Sequence, residues 1–190
     1  MKKILVLLAI AGNMLLSQSC NENKKNSEDS VENAHDANDL KEQNGSGQTD
    51  DTNDFAVKAA AGGLLEVTLG QMAQEKGQSP QVKAFGQMMI EDHTKANDEL
   101  KALAARKNIT LPTTLGEDEQ KHVDELASLS GAEFDKKYID LMEDDHEQDV
   151  KLFSEAAQEE EDAELKAFAS KTLPTLQQHL NKVKAMNTDQ

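Results

Sequence analysis

The sequence predicts an all-α fold: an up-down-up-down bundle of four long helices, with a short extra helix between the second and third. Three observations predict it. Apolar residues recur at the period of a helix with one buried face along four long stretches. Ala, Leu, Met, Glu, Lys and Gln dominate residues 54–190, and all of them favour helix. No stretch alternates apolar and polar residues with the period that a half-buried strand requires.

The chain opens on a targeting segment. Lys2 and Lys3 precede an apolar run over residues 4–10, and Asn13 and Gln18 interrupt it short of the roughly 20 apolar residues that a membrane span needs. Cys20 is the single cysteine and stands where a signal peptidase would cut. Residues 1–19 therefore read as a lipoprotein signal peptide, and Cys20 as the lipidated residue. Leu16-Ser17-Gln18-Ser19-Cys20 resembles a bacterial lipobox, although Ser17 and Gln18 depart from its small-residue pattern. One cysteine allows no internal disulfide, so stability must come from packing. The expected location is the bacterial cell envelope. The chain would be held to the membrane through Cys20, on the outer membrane, facing the periplasm or the surface.

After Cys20, residues 21–53 carry nine acids, three lysines and four apolar residues: Val31, Ala34, Ala37 and Leu40. Such a stretch buries too little surface to offset chain entropy, which predicts a disordered acidic tether over 20–53 with His35 in solvent. Residues 54–190 remain as one domain, long enough for a core. The formal net charge of −16 argues against nucleic acid as a partner and against direct binding to anionic head groups. No protein partner can be named from the sequence.

The first long helix, from about residue 54 to 76, places Ala59, Gly62, Leu69 and Ala73 on one face, with Glu66 in the middle of that stripe. The second opens with Ser79 as N-cap and Pro80 at its first position. Its stripe reads Val82, Phe85, Met89, His93, Ala96, Leu100 and Leu103. Residues 108–116, with Pro112, read as a loop. The short helix that follows carries Glu117, Asp118 and Glu119 in its first turn and turns Val123, Leu126 and Leu129 inward. Ser130 and Glu133 form a capping box for the third long helix, whose stripe is Phe134, Tyr138, Met142, His146, Val150, Phe153 and Ala157. The fourth begins near Asp162 and turns Leu165, Phe168, Thr172, Leu176, His179, Val183 and Met186 inward. Pro174 removes one of its hydrogen bonds and predicts a kink just before His179.

Four inward positions are not apolar: Glu66, His93, His146 and His179. If the two short turns lie at one end of the bundle, counting residues from them puts all four within roughly 9 Å along its axis. Glu143, three residues before His146, is level with His179 and could join them. Imidazoles with a carboxylate suit a transition metal such as Cu, Zn or Fe. Met89 and Met142 each precede an inward histidine by one turn, and thioethers favour Cu(I). Gly62, Gly63 and Gly70 surround Glu66 and leave room for a guest. The alternative is a polar core layer in which Glu66 and a histidine satisfy each other and fix helix register without metal.

Phe85, Met89, Asp92 and His93 repeat at the spacing of Tyr138, Met142, Asp145 and His146, so the second and third long helices present the same face. Asp92 and Asp145 lie about 100° from their histidines and are expected to flank the core. His122 is expected at the surface. There is no nucleophile system, glycine-rich phosphate loop or CxxC pair, and nothing identifies a catalytic residue.

Residues 59–73 (AAAGGLLEVTLGQMA), 88–97 (MMIEDHTKAN), 141–153 (LMEDDHEQDVKLF) and 172–180 (TLPTLQQHL) resemble a bacterial domain-of-unknown-function family. Its members are predicted outer-membrane or periplasmic proteins with a ferritin-like four-helix bundle. The resemblance implies that Glu66, His93, His146 and His179 match the family's recurrent polar positions. A di-iron ferritin site wants Glu-x-x-His from two helices. Here Glu143-x-x-His146 qualifies, whereas Ile90 and Leu176 occupy the matching places before His93 and His179. A histidine-richer site would fit better. Two function classes follow: an envelope lipoprotein that binds metal, for metal handling or stress response, and a non-catalytic envelope interaction module.

Overall fold

The computed structural model describes residues 29–188, so the expected signal peptide and Cys20 lie outside the described residues. Within them the chain forms six helices and no strand: α1 (Ser30–Gln43), α2 (Asp50–Lys76), α3 (Pro80–Lys107), α4 (Glu117–Ala127), α5 (Gly131–Glu159) and α6 (Ala163–Thr188). The all-α expectation holds, and α4 is the short helix expected between the second and third long ones. Among the described residues no helix is long and apolar enough to cross a membrane.

The helix ends follow the sequence in most places. Ser79 accepts a hydrogen bond from Gln81 N at 3.2 Å and Pro80 starts α3. Asn108 closes α3 in the left-handed region at φ 58°, where asparagine is tolerated. Asp162 Oδ1 accepts from Glu164 N and Leu165 N at 3.0 and 3.1 Å and so starts α6. The capping box at Ser130 does not form. That side chain accepts no hydrogen bond from the helix, and Gly131 turns the chain in at φ 61°. α6 runs through Pro174 as one continuous helix.

Residues 20–53 were expected to be disordered, and the described part of that stretch is not. α2 starts at Asp50, and residues 30–43 form a helix that packs on α2. Its fastening is polar. Asp29 accepts from Val31 N and Glu32 N to cap α1, and its other oxygen accepts from Glu117 N to cap α4. Asn38 is buried and pairs with Thr110 in both directions: its Nδ2 donates to the carbonyl at 2.9 Å and its Oδ1 accepts from the amide at 2.7 Å. Lys41 Nζ donates to Asn108 O at 2.9 Å. Hydropathy could not find this helix, because side-chain amides and carboxylates hold it more than apolar burial does.

The helix directions correct the expected topology. The core divides into two apolar clusters. One holds Phe55, Leu100, Leu103, Phe153, Leu165 and Phe168. The other holds Leu69, Phe85, Met89, Phe134, Tyr138, Met142 and Val183. Along α2 and α6 the chain passes from the first cluster to the second, and along α3 and α5 it passes from the second to the first. The order is therefore up-down-down-up, and the two short turns lie at opposite ends. Asp135, near the start of α5, accepts from Gln78 N and Ser79 N in the α2–α3 turn at 2.9 and 2.6 Å. At the other end, Lys107 at the end of α3 pairs with Asp162 at the start of α6 at 2.6 Å. The connection through α4 runs back along α2, where Lys76 Nζ donates to Ala127 O at 2.7 Å. α2 packs along α3 and α5 along α6, and contacts of α2 with α5 and of α3 with α6 complete the core.

Candidate metal centre

Between the two apolar clusters each long helix contributes one polar side chain: Glu66 from α2, His93 from α3, His146 from α5 and His179 from α6. They are 0, 5, 0 and 1 % exposed. The predicted layer forms although the two turns do not share an end, because His146 sits close to the middle of the 29-residue α5. Its height is therefore nearly the same counted from either end.

One nitrogen from each of His93, His146 and His179 lies within 4.8 Å of the other two. His93 Nε2 and His179 Nδ1 are 3.3 Å apart. The opposite face of each ring is occupied. His146 Nδ1 donates to Met142 O at 2.9 Å, which leaves Nε2 as a lone pair. His179 Nε2 is 2.9 Å from Asp92 Oδ2, and donation there leaves Nδ1 as a lone pair. Glu66 Oε2 lies 2.5 Å from His93 Nδ1, and Glu66 Oε1 lies 3.4 Å from His146 Nε2. Neither approach is aligned as a hydrogen bond, so both Glu66 oxygens and His146 Nε2 are sealed from water without a bonded partner.

Two further acids reach Glu66 from α5. Asp145 and Asp149 each stand within hydrogen-bonding reach of its carboxyl group. Asp149 is 9 % exposed, and Asp145, though half-buried as a residue, has its Oδ2 sealed and unpartnered. Glu66, Asp145 and His146 form a second group whose ligand atoms lie within 4.8 Å of one another. Tyr138, one stretch earlier on α5, is fully buried with an unpartnered hydroxyl.

The electrostatics follow from burial. Desolvation pushes the imidazoles of His93 and His179 down to about 4 and that of His146 to about 3, so all three rings are neutral near pH 7. Desolvation, and then the nearby Asp149 charge, raises Glu66 well above the ordinary carboxylate range. Desolvation, then Glu66 and Asp149, does the same to Asp145, and desolvation raises Asp149. Burial, with the Glu66 and Asp145 charges behind it, also raises the Tyr138 hydroxyl. Burial together with these neighbouring acids favours the protonated form of each of the three carboxyl groups.

The other predicted residues separate. Glu143 stays outside the layer, where its Oε2 accepts from Asn187 Nδ2 at 2.7 Å. Met89 and Met142 are fully buried in one apolar cluster, and Met142 serves the layer through its backbone carbonyl. The glycines around Glu66 leave little spare room. A Cβ on Gly63 would meet Asn97 Oδ1 at 2.0 Å, one on Gly70 would meet Gly86 O at 2.7 Å, and one on Gly62 would touch Asp149 Oδ1 at 3.4 Å. Asp92 flanks the layer as expected, with a side chain 43 % exposed. Asp145 does not, because it turns toward Glu66. Asp149 was missed altogether. Its signal was its place three residues after His146, on the same helix face. His122 lies on α4 and belongs to neither ligand group. A surface cleft of about 770 Å³, lined by Asp29, Thr68, Thr113 and Gln120 among others, contains none of the layer's side chains.

The family model of a domain of unknown function, DUF4142, matches residues 16–186. The chain belongs to the DUF4142 family. Two solved structures share the fold of this DUF4142 chain. One is CopM in the Cu(II)-bound form, with a TM-score of 0.62 and 17% identity, over 73% of this chain and 96% of the other. The other is a DUF305 fragment from Deinococcus radiodurans, with a TM-score of 0.66 and 13% identity, over 76% and 99%. No curated protein matches the sequence.

Proposed function

We propose that this protein binds a transition-metal ion, Cu, Zn or Fe, between His93, His146 and His179, and that it handles this metal in a bacterial envelope as a lipoprotein anchored through Cys20. In this reading the four long helices are a ferritin-like bundle whose mid-height layer is the metal centre. One observation carries the proposal: three buried neutral imidazoles turn nitrogens toward one another while Asp92, Met142 O and Glu66 occupy their far sides. Outer partners that fix ring orientation and tautomer are what a histidine metal site requires. The fold likeness to a protein solved in a Cu(II)-bound form supports copper as the first ion to try. No step of catalysis is proposed.

The test is titration of Cu²⁺, Zn²⁺ and Fe²⁺ into metal-free protein. One ion should bind per chain and raise Tm, because a ligand specific for the folded state stabilises it in proportion to RT ln(1 + [L]/Kd). His93→Ala and His146→Ala should abolish uptake, and His122→Ala should leave it intact. Failure of all three ions to bind or to raise Tm would discard the metal. For the anchor, the wild type should label with palmitate and sediment with membranes, and Cys20→Ala should do neither.

A second reading rests on a different observation. Glu66, His93, His179 and Asp92 follow one another at 2.5, 3.3 and 2.9 Å, a continuous series that could satisfy itself if Glu66 carries a proton. The layer would then fix helix register in a non-catalytic envelope module. Under it, substitutions in the layer lower Tm by the same amount with and without added metal.

A further inference from the structure

His93, His146 and His179 are at most 5 % exposed, so an ion that reaches them has to cross the wall of the bundle. Apolar clusters fill the core on both sides of the layer, which leaves the seams between helices. α2 packs along α3 and α5 along α6, and the seams between these pairs are α2–α5 and α3–α6. The first lies under α4, which packs on both α2 and α5 and buries Leu126 among Leu69, Phe134 and Tyr138. Lys137 Nζ on α5 and Glu125 Oε2 on α4 tie that cover down at 2.9 Å.

The α3–α6 seam is fastened by polar side chains. Glu99 on α3 meets Lys171 on α6 at 2.7 Å, Asp92 Oδ2 meets His179 Nε2 at 2.9 Å, and Lys182 Nζ donates to Met88 Sδ at 3.8 Å. Asp92 touches both the layer and solvent, with a side chain 43 % exposed. His179 therefore stands in the wall itself. Its Nε2 turns to Asp92 on the solvent side, and its Nδ1 turns to His93 Nε2 at 3.3 Å on the inner side. Polar contacts of this kind can be exchanged for water or an ion as they part. Parting the apolar face under α4 would instead expose buried surface.

We propose that the ion enters and leaves the histidine site through the α3–α6 seam, with the Asp92 carboxylate at its mouth and the His179 ring as its door. The inference rests on the histidine reading and adds the route. An arriving cation meets Asp92, which gives up its hydrogen bond to His179. The ring swings aside, and the bond re-forms behind the bound ion. Lys182 lies one turn from His179 on α6 and touches Met88, one turn before Asp92 on α3. It places a positive charge beside the mouth and should slow the entry of a cation.

Tyr138 reports arrival. It is the single tyrosine of a chain without tryptophan, and it packs on Phe85, whose ring also meets His146 and His179. Stopped-flow mixing of metal-free full-length protein with Cu²⁺ should quench its fluorescence at a rate proportional to copper concentration. Lys182→Glu should raise that rate at least about threefold at low salt, and the gain should fade at high salt, as electrostatic steering does. Lys182→Gln should give a smaller gain in the same direction, and it serves if the charge reversal does not fold. Lys137→Glu makes the same charge change and also loosens α4, yet should leave the rate nearly unchanged. An equal or larger gain from Lys137→Glu, or none from either Lys182 variant, would overturn the route while the binding of one copper per chain still stood. No Cu²⁺ uptake by the wild type would instead strike at the histidine site itself, and the route would fall with it.

Discussion

His93 Nε2 and His179 Nδ1 face each other at 3.3 Å, from α3 and α6, which no short turn connects. Asp92, one residue before His93, reaches the far nitrogen of His179 at 2.9 Å. Two adjacent residues of α3 thus hold both sides of one imidazole on α6. Asp92 fixes the proton on Nε2, so Nδ1 turns a lone pair toward His93, and a proton or an ion between the two rings is needed to make that approach favourable.

Asp92→Asn should therefore weaken metal binding without unfolding the protein. An outer partner of a ligating histidine is worth about 10–100-fold in affinity. The Asp92 side chain is 43 % exposed, so its loss should leave Tm of the metal-free protein nearly unchanged. Competition titration against a chelator reads the affinity. Equal affinity in variant and wild type would remove Asp92 from the site.

In metal-free protein the histidines and acids should act in opposite directions with pH. The folded-state value of His146 is about 3 against an ordinary 6.5. Its contribution is complete above 6.5 and is lost as pH falls, because the unfolded chain takes up a proton that the fold refuses. Glu66 is raised, so its contribution is complete below the ordinary 4.5 and is lost as pH climbs. The stability gap between wild type and His146→Gln should therefore shrink from pH 6.5 toward about 5. The gap between wild type and Glu66→Gln should instead move against the wild type as pH rises from about 5 to 8. Urea midpoints measured across that range check both signs, and gaps that do not change with pH would contradict them.

The close approach of α2 and α3 offers a third test. A Cβ on Gly86 would meet the Ala73 Cβ at 2.7 Å and the Gly70 carbonyl at 2.8 Å, and one on Gly70 would meet the Gly86 carbonyl at 2.7 Å. Backbone cannot step aside as a flexible side chain can. Gly86→Ala should cost about 1–3 kcal/mol by thermal or urea unfolding. Gly70→Ala should cost a similar amount, and the double variant less than the sum, because one separation of the helices relieves both clashes.

For α1, Asn38→Ala should cost about 1–3 kcal/mol locally by leaving the Thr110 amide and carbonyl without partners. Proteolysis within residues 30–43 should then speed up while the remaining helices keep their far-ultraviolet signal. Unaltered protection of α1 would mean that its apolar contacts with α2 suffice.

These cases separate what the residues disclosed from what they hid. Glu66, His93, His146 and His179 stood out because a polar side chain inside an apolar stripe breaks a periodic pattern, and all four do meet. The directions of the helices were not legible, since both short turns read alike whichever end of the bundle they occupy. The pairing of Asp135 with the Gln78 and Ser79 amides, which fixes the start of α5 at the α2–α3 turn, is a tertiary contact with no local sign. Asp145 and Asp149 were hidden for another reason. A carboxylate one or three residues from an inward histidine is read as solvated by default, and burial becomes visible once Glu66 is seen opposite.

The helix at residues 30–43 also sets a distance. Eight residues, 21–28, separate Cys20 from Asp29, the residue that ties α1 and α4 together. Fully extended at about 3.3–3.6 Å per residue, that leash spans no more than roughly 30 Å. A lipid on Cys20 would therefore hold Asp29, and with it the starts of α1 and α4, within roughly 30 Å of the bilayer.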